Sequence, residues 1–139
     1  MFKKLFNNKG NKYGNKKVEY NGLKFDSKKE KDRYIFLKEQ EKLGNIQDLQ
    51  LQVKYELIPA IKEEYVEHLK TKDKVKTRTV QLAITYTCDF QYYKNGELVI
   101  EDVKSSPKML TKEYALKKKM LFALKGLKIR EVYKPTEQI

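Results

Sequence analysis

Asp89, Asp102 and Lys104 are the residues of this chain whose types and spacing fit chemistry. Between them lies Asn95-Gly96, flanked by Phe90-Gln91-Tyr92-Tyr93 and Leu98-Val99-Ile100. Asn-Gly between apolar runs is the strongest short-range hairpin signal. A two-residue loop makes Lys94 face Glu97, Tyr92 face Val99 and Asp89 face Asp102. Opposed residues then have Cβ atoms about 4.5–5.5 Å apart, and Lys104 projects from the same face as Asp102. Opposed like charges destabilise a sheet, so a divalent cation is the natural third party. Two carboxylates suit a hard ion such as Mg²⁺ or Mn²⁺. The ion would polarise a phosphoryl oxygen and acidify a water, while a lysine stabilises developing charge or orients that water. The competing reading is a surface hairpin whose charges face solvent. On a regular strand Glu101 points to the opposite face and is a weaker candidate.

Glu30 is the next acid of interest. Ser27-Lys28-Lys29-Glu30 fits a capping box, which by itself accounts for the glutamate; the alternative brings it to the metal site as a further acid. Lys117 interrupts the stripe Leu110, Tyr114, Leu121, Leu124 and reads either as a snorkelling lysine or as a phosphate ligand. Lys112 and Lys118 lie around it as phosphate-contact candidates, as do Lys12, Lys16 and Lys17 near the N-terminus. Cys88 faces away from the site and has no histidine nearby, so it is not read as a nucleophile. His68 reads as a surface residue. The ten tyrosines and six phenylalanines suggest base stacking, but most fall at core spacing.

The elements that must position these groups follow from pattern. Residues 1–17 hold six lysines and no acid and read as a flexible basic arm. Val18 to Phe25 is a small hairpin around Asn21-Gly22. A helix capped by Ser27 runs to about Leu43, with Gly44 as its stop. Ile46 to Ile58 alternates as one half-buried strand ended by Pro59. Residues 61–78 are highly charged and poorly periodic, an excursion with one short helix around Glu63 to Leu69. Thr79 to Tyr93 is a long strand, paired with Glu97 to Lys104. Thr111 caps a second helix that Gly126 ends, and Lys128 to Tyr133 is a last strand. The resulting class is a mixed α/β (α+β) sheet with helices packed on it, residues 18–139 forming one domain.

Composition bounds the partners. The 139 residues carry 31 Lys+Arg against 19 Asp+Glu, a net charge of +12, which favours a polyanion. No stretch reaches the ~18–20 apolar residues of a membrane span, and no apolar signal-peptide core is present. One cysteine and one histidine exclude a disulfide framework and argue against a Cys/His zinc site. The expectation is a cytoplasmic nucleic-acid-binding protein.

The element order resembles the PD-(D/E)xK nuclease superfamily, whose core runs helix, three strands, helix, strand. Tyr86-Thr87-Cys88-Asp89-Phe90 stands where that pattern has its Pro-Asp motif, and Asp102-Val103-Lys104 matches (D/E)xK directly. Asn11 to Lys17, Phe25 to Glu30, Leu49 to Gln52 and Ile100 to Lys104 further resemble a family of small phage-encoded endonucleases, related in pattern to Holliday-junction resolvases and end-cleaving transposase subunits. The resemblance covers the chain from about Asn11. It implies a restriction-endonuclease-like core and a metal site built from Glu30, Asp89 and Asp102, with Lys104 as the catalytic lysine. It also implies Mg²⁺- or Mn²⁺-dependent cleavage of DNA, selective for branched junctions in the sharpest version, by a homodimer in the cytoplasm of a phage-infected or prophage-carrying host. Three features depart from the pattern: Cys88 precedes Asp89, Ser105 follows the motif lysine where glycine is common, and the excursion at 61–78 is longer than the pattern leads one to expect, a place for substrate-specific contacts. The alternative is a non-catalytic nucleic-acid-binding module on a retired nuclease fold.

Overall fold

The computed structural model describes residues 16–139. Most of the basic arm, including Lys12, lies outside them; Lys16 and Lys17 are exposed just before the first strand. Strands β1 (Val18–Tyr20) and β2 (Leu23–Phe25) form the expected hairpin, with Val18 opposite Phe25. Asn21 and Gly22 both have positive φ, +48° and +75°, as a type I′ turn requires. Helix α1 (Lys28–Lys42) starts at Ser27, whose hydroxyl accepts the Glu30 amide at 3.1 Å. Its buried stripe is Glu30, Arg33, Tyr34 and Leu37 at helical spacing, half of it ionisable. Ile35 is exposed and Phe36 half-buried, so the apolar face is narrow.

The expected single strand from Ile46 to Ile58 is two strands, β3 (Gln47–Leu51) and β4 (Lys54–Ile58). Gln52 breaks it with φ +52°. There the chain changes partners, leaving one sheet for another. The residues 61–78 contain no helix: β5 (Ile61–His68) and β6 (Asp73–Gln81) pair over their whole length as a hairpin. Its β-branched Val66, Val75, Thr77 and Thr79 favour the pleated state that the charges disguise. The expected long strand from Thr79 to Tyr93 is likewise divided into the end of β6, β7 (Ile84–Thr87) and β8 (Phe90–Lys94).

Strand β9 (Glu97–Val103) pairs with β8 in the expected register, Lys94 opposite Glu97 and Tyr92 opposite Val99. A short 3-10 turn at Pro107–Met109 leads to α2 (Lys112–Lys125), capped by the Thr111 hydroxyl and ended by Gly126 at φ +67°. Strand β10 (Ile129–Val132) returns parallel to β9. The main sheet has the order β10-β9-β8-β3, and β4–β7 forms a separate ribbon. The fold is mixed α/β.

Each helix covers one buried cluster. Phe25, Tyr34, Leu37, Ile46, Phe90 and Tyr92 pack beneath α1; Leu57, Tyr86, Cys88, Ile100, Tyr114, Leu121 and Ile129 pack beneath α2. Alternation along β8 and β9 thus feeds both sides of the sheet. Leu124 is a correction to the expected stripe of α2, being 57% exposed. Among the described residues no helix is long and apolar enough to cross a membrane.

Candidate functional site

The site forms at the bend where β3 passes into β4 and β7 passes into β8. Gln52 N–H donates to the Asp89 carbonyl at 3.1 Å, and Cys88 N–H to the Val53 carbonyl at 3.0 Å. Both chains therefore turn together, and Asp89 sits at the corner. Phe90 pairs with Glu101, so Asp89 falls opposite Asp102 as the hairpin rule required. The Asp102 Oδ1 accepts the Asp89 amide at 3.0 Å, and Asp89 Oδ2 accepts the Val103 amide at 2.8 Å. Lys104 Nζ lies 3.4 Å from Asp102 Oδ2 and 3.7 Å from the centroid of the Tyr114 ring. Its backbone N–H donates to the Val132 carbonyl at 2.8 Å, which fixes the strand end from which the side chain projects.

Glu30 makes half of the capping box. Ser27 accepts its amide, but its carboxylate accepts from Gln52 Nε2 at 3.1 Å. Glu30, Asp89, Asp102, Lys104 and Lys117 line one open cleft of about 460 Å³. The structure thus brings together all four residues expected at the site. Among the described residues, however, no three His, Cys, Asp or Glu side chains are gathered closely enough to ligate one ion by themselves. Asp89 and Asp102 could serve as a donor pair, with Glu30 held beside them by Gln52. Mg²⁺ is commonly bound through one or two carboxylates, several waters and substrate phosphates, so this donor set fits it.

Burial is the largest influence on the acids. It pushes Asp89 up to about 8, helped by the charges of Asp102 and Glu30 and opposed by the Val103 amide and Lys104. Burial also pushes Glu30 up to about 7, with the charges of Asp26 and Asp102 adding to it and the Gln52 hydrogen bond opposing. Desolvation and neighbouring like charge raise carboxylates in this way, and groups so perturbed cluster at functional sites.

Two aromatic hydroxyls complete the picture. The Tyr114 hydroxyl donates to Glu131 at 2.9 Å, which steadies the ring on which Lys104 rests. Tyr86 lines the cleft and is buried, its hydroxyl beside the Asp102 carboxylate without a well-formed hydrogen bond. Burial, and then the nearby Asp102 carboxylate, hold it firmly in the neutral form.

The lysines are less concentrated. Lys117 reaches the cleft but pairs with Glu113 at 2.9 Å, and Lys118 with Glu131 at 3.3 Å; Lys112 is exposed on the first turn of α2. Glu101 lies on the far face, as its parity required. There Arg33 grips it in a bidentate pair, Nε–Oε2 at 2.9 Å and Nη2–Oε1 at 2.7 Å, with both side chains fully buried. Tyr92 and Arg130 also donate to Glu101, so it is structural. Sequence reasoning missed Arg33, Gln52, Tyr86 and Tyr114. Arg33 had a signal, since it falls between Glu30 and Leu37 on the buried stripe.

No curated protein and no solved structure matches the chain. A family model does, over residues 10–135 and hence across the hairpin, both helices and the bend that carries Asp89. The chain belongs to that family, DUF1064, described as a protein of unknown function.

Proposed function

We propose that this chain is a Mg²⁺-dependent endodeoxyribonuclease of the PD-(D/E)xK type. The observation that carries the reading is the junction of Asp89, Asp102 and Lys104 at the end of adjacent strands, under an open cleft. Opposed carboxylates cost stability in a metal-free protein, so a function is the economical reason to keep them. The order of α1, the divided strands β3/β4 and β7/β8, β9, α2 and β10 supports a restriction-endonuclease-like core once the hairpin β5–β6 is set aside.

Asp89 and Asp102 would hold Mg²⁺, which when bound would neutralise their repulsion, polarise a phosphoryl oxygen and acidify a water. Lys104 sits against Asp102 with its ammonium oriented by the Tyr114 ring, and it would orient the attacking water. That water's oxygen would bond to phosphorus as one phosphorus–oxygen ester bond breaks, its proton passing to Glu30 or solvent while the departing alkoxide takes a proton from solvent. Glu30 suits a proton acceptor because its value lies near neutrality. Lys117 faces the cleft for a phosphate once it leaves Glu113. Phosphate contacts carry no sequence information, so cutting follows DNA shape, and a homodimer acting on four-way junctions is the sharpest form.

The test is cleavage of supercoiled plasmid, linear duplex, single strand and a four-way junction with Mg²⁺, Mn²⁺ or EDTA. The expected result is metal-dependent product that disappears in Lys104→Ala. Metal-independent binding without product from the unsubstituted protein would replace this reading with a retired, non-catalytic DNA-binding module.

A further inference from the structure

The hairpin β5–β6 makes no extensive contact with any element but itself. It extends the β4–β7 ribbon outward, the pairing of Ile58 with Ile84 giving way to that of Ile61 with Gln81. At about 3.4 Å per residue, β6 alone reaches roughly 30 Å. A lone two-stranded hairpin is marginal in water, and this one exposes Val66 and Val75 across from each other. Such an arm calls for a partner.

Charge identifies the partner. Lys70, Lys72, Lys74, Lys76 and Arg78 occupy every second position, so Lys74, Lys76 and Arg78 project from one face of β6, with Lys70 and Lys72 at the tip. Successive cations along the strand stand about 7 Å apart. The outer part of the arm, 69–76, holds four lysines and one acid, Asp73. Lys76 and Arg78 are held by Glu67 and Glu63 of β5, whereas Lys70, Lys72 and Lys74 make no ion pair among the described residues. Exposed pairs of that kind exchange readily for phosphates. A second copy is the weaker occupant, because β6 edges would oppose lysines and β5 edges would oppose Glu63, Glu64 and Glu67.

We propose that the β5–β6 hairpin is a nucleic-acid arm whose row of alternating cations grips the phosphate backbone of duplex DNA away from the candidate cutting site. The major groove of B-DNA admits a two-stranded ribbon of this kind. The inference rests on the nuclease reading only for its substrate class.

The experiment is binding of the full chain, in EDTA and over a range of salt concentrations, to a duplex of about 40 base pairs, several helical turns. The unsubstituted chain is compared with the triple variant Lys70→Gln, Lys72→Gln, Lys74→Gln, and sedimentation is run on both. Each lost phosphate contact lowers the slope of log K against log salt by about 0.9. We expect the slope to fall by about 2–3 and affinity at moderate salt by about tenfold or more. An unchanged slope and affinity would overturn the arm, and if the unsubstituted protein still cuts, the nuclease reading stands. A change in sedimenting mass with unchanged DNA binding would also overturn it, making the hairpin a contact between copies. Arm-dependent binding by a protein that cuts nothing would support the arm and remove the nuclease reading.

Discussion

Asp89 and Asp102 hold each other through the backbone: each carboxylate accepts a main-chain N–H from the strand that bears the other. The two acids are thereby fixed in direction while their charges still repel. A single bond of this kind is worth about 0.5–1.5 kcal/mol, rising to about 1.5–3 when the carboxylate is ionised, and both can form if the acceptor becomes an amide oxygen.

Asp89→Asn and Asp102→Asn should therefore fold and bind DNA but lose metal-dependent cleavage by at least about 10²-fold. Calorimetry in EDTA at pH 8 should show Asp89→Asn no less stable than the parent. A variant that cuts DNA at the parent rate would remove that carboxylate from the site.

The acids also set a pH dependence of unusual sign. Folding raises Asp89 from 3.8 to about 8 and Glu30 from 4.5 to about 7. Between those values the folded chain binds more protons than the unfolded one, so stability falls as pH rises. The contribution is fully present below about 4, decays between about 4 and 8, and is gone above about 8. Metal-free protein should melt at higher temperature at pH 6 than at pH 8. Millimolar Mg²⁺ should raise the melting temperature more at pH 8, where it competes with fewer protons. A metal-free melting temperature that rises from pH 6 to pH 8, with Asp89→Asn showing the same rise, would contradict the assignment.

Tyr86→Phe separates packing from chemistry. Its buried hydroxyl makes no well-formed hydrogen bond, and such a group costs about 1–3 kcal/mol. The phenylalanine variant should be more stable in EDTA and slower in cleavage, since the cleft loses a hydroxyl donor. Equal stability and equal cleavage would show the hydroxyl to be satisfied by solvent.

Arg33→Ala tests the far face of the sheet. It would leave the buried Glu101 with Arg130 at 3.4 Å as its remaining cation and Tyr92 as a neutral donor, and removing one partner of a buried pair costs about 3–5 kcal/mol. Unfolding in urea should show a loss of that size, or no folded protein at all. Metal affinity measured on Glu101→Gln, where it folds, should be unchanged, because Glu101 faces away from the cleft.

How much of this was legible depended on the range of the governing forces. The hairpin register that sets Asp89 against Asp102 was fixed locally by Asn95-Gly96, and the helix caps Ser27, Thr111 and Gly126 were equally local. What escaped was set by partners far away in the chain. Gln52 could not be read as a break, because the bend exists only when Gln52 bonds to Asp89 and Val53 to Cys88 across the two strands. The hairpin β5–β6 looked aperiodic because alternating lysines replaced the alternating apolar residues that usually announce a strand. Arg33 looked like one more surface cation until Glu101, on β9, was placed beneath it.

The arm leaves and rejoins the ribbon at facing residues, Ile58 and Ile84. Its two ends are already held together by the body of the fold, and doubling the length of such an excursion adds only about 0.6 kcal/mol of closure entropy. Reach and charge can therefore drift, shorten or double between relatives without resetting the bend at Asp89. Address and chemistry are separately heritable in this architecture, and variation among family members should concentrate between Pro59 and Ala83.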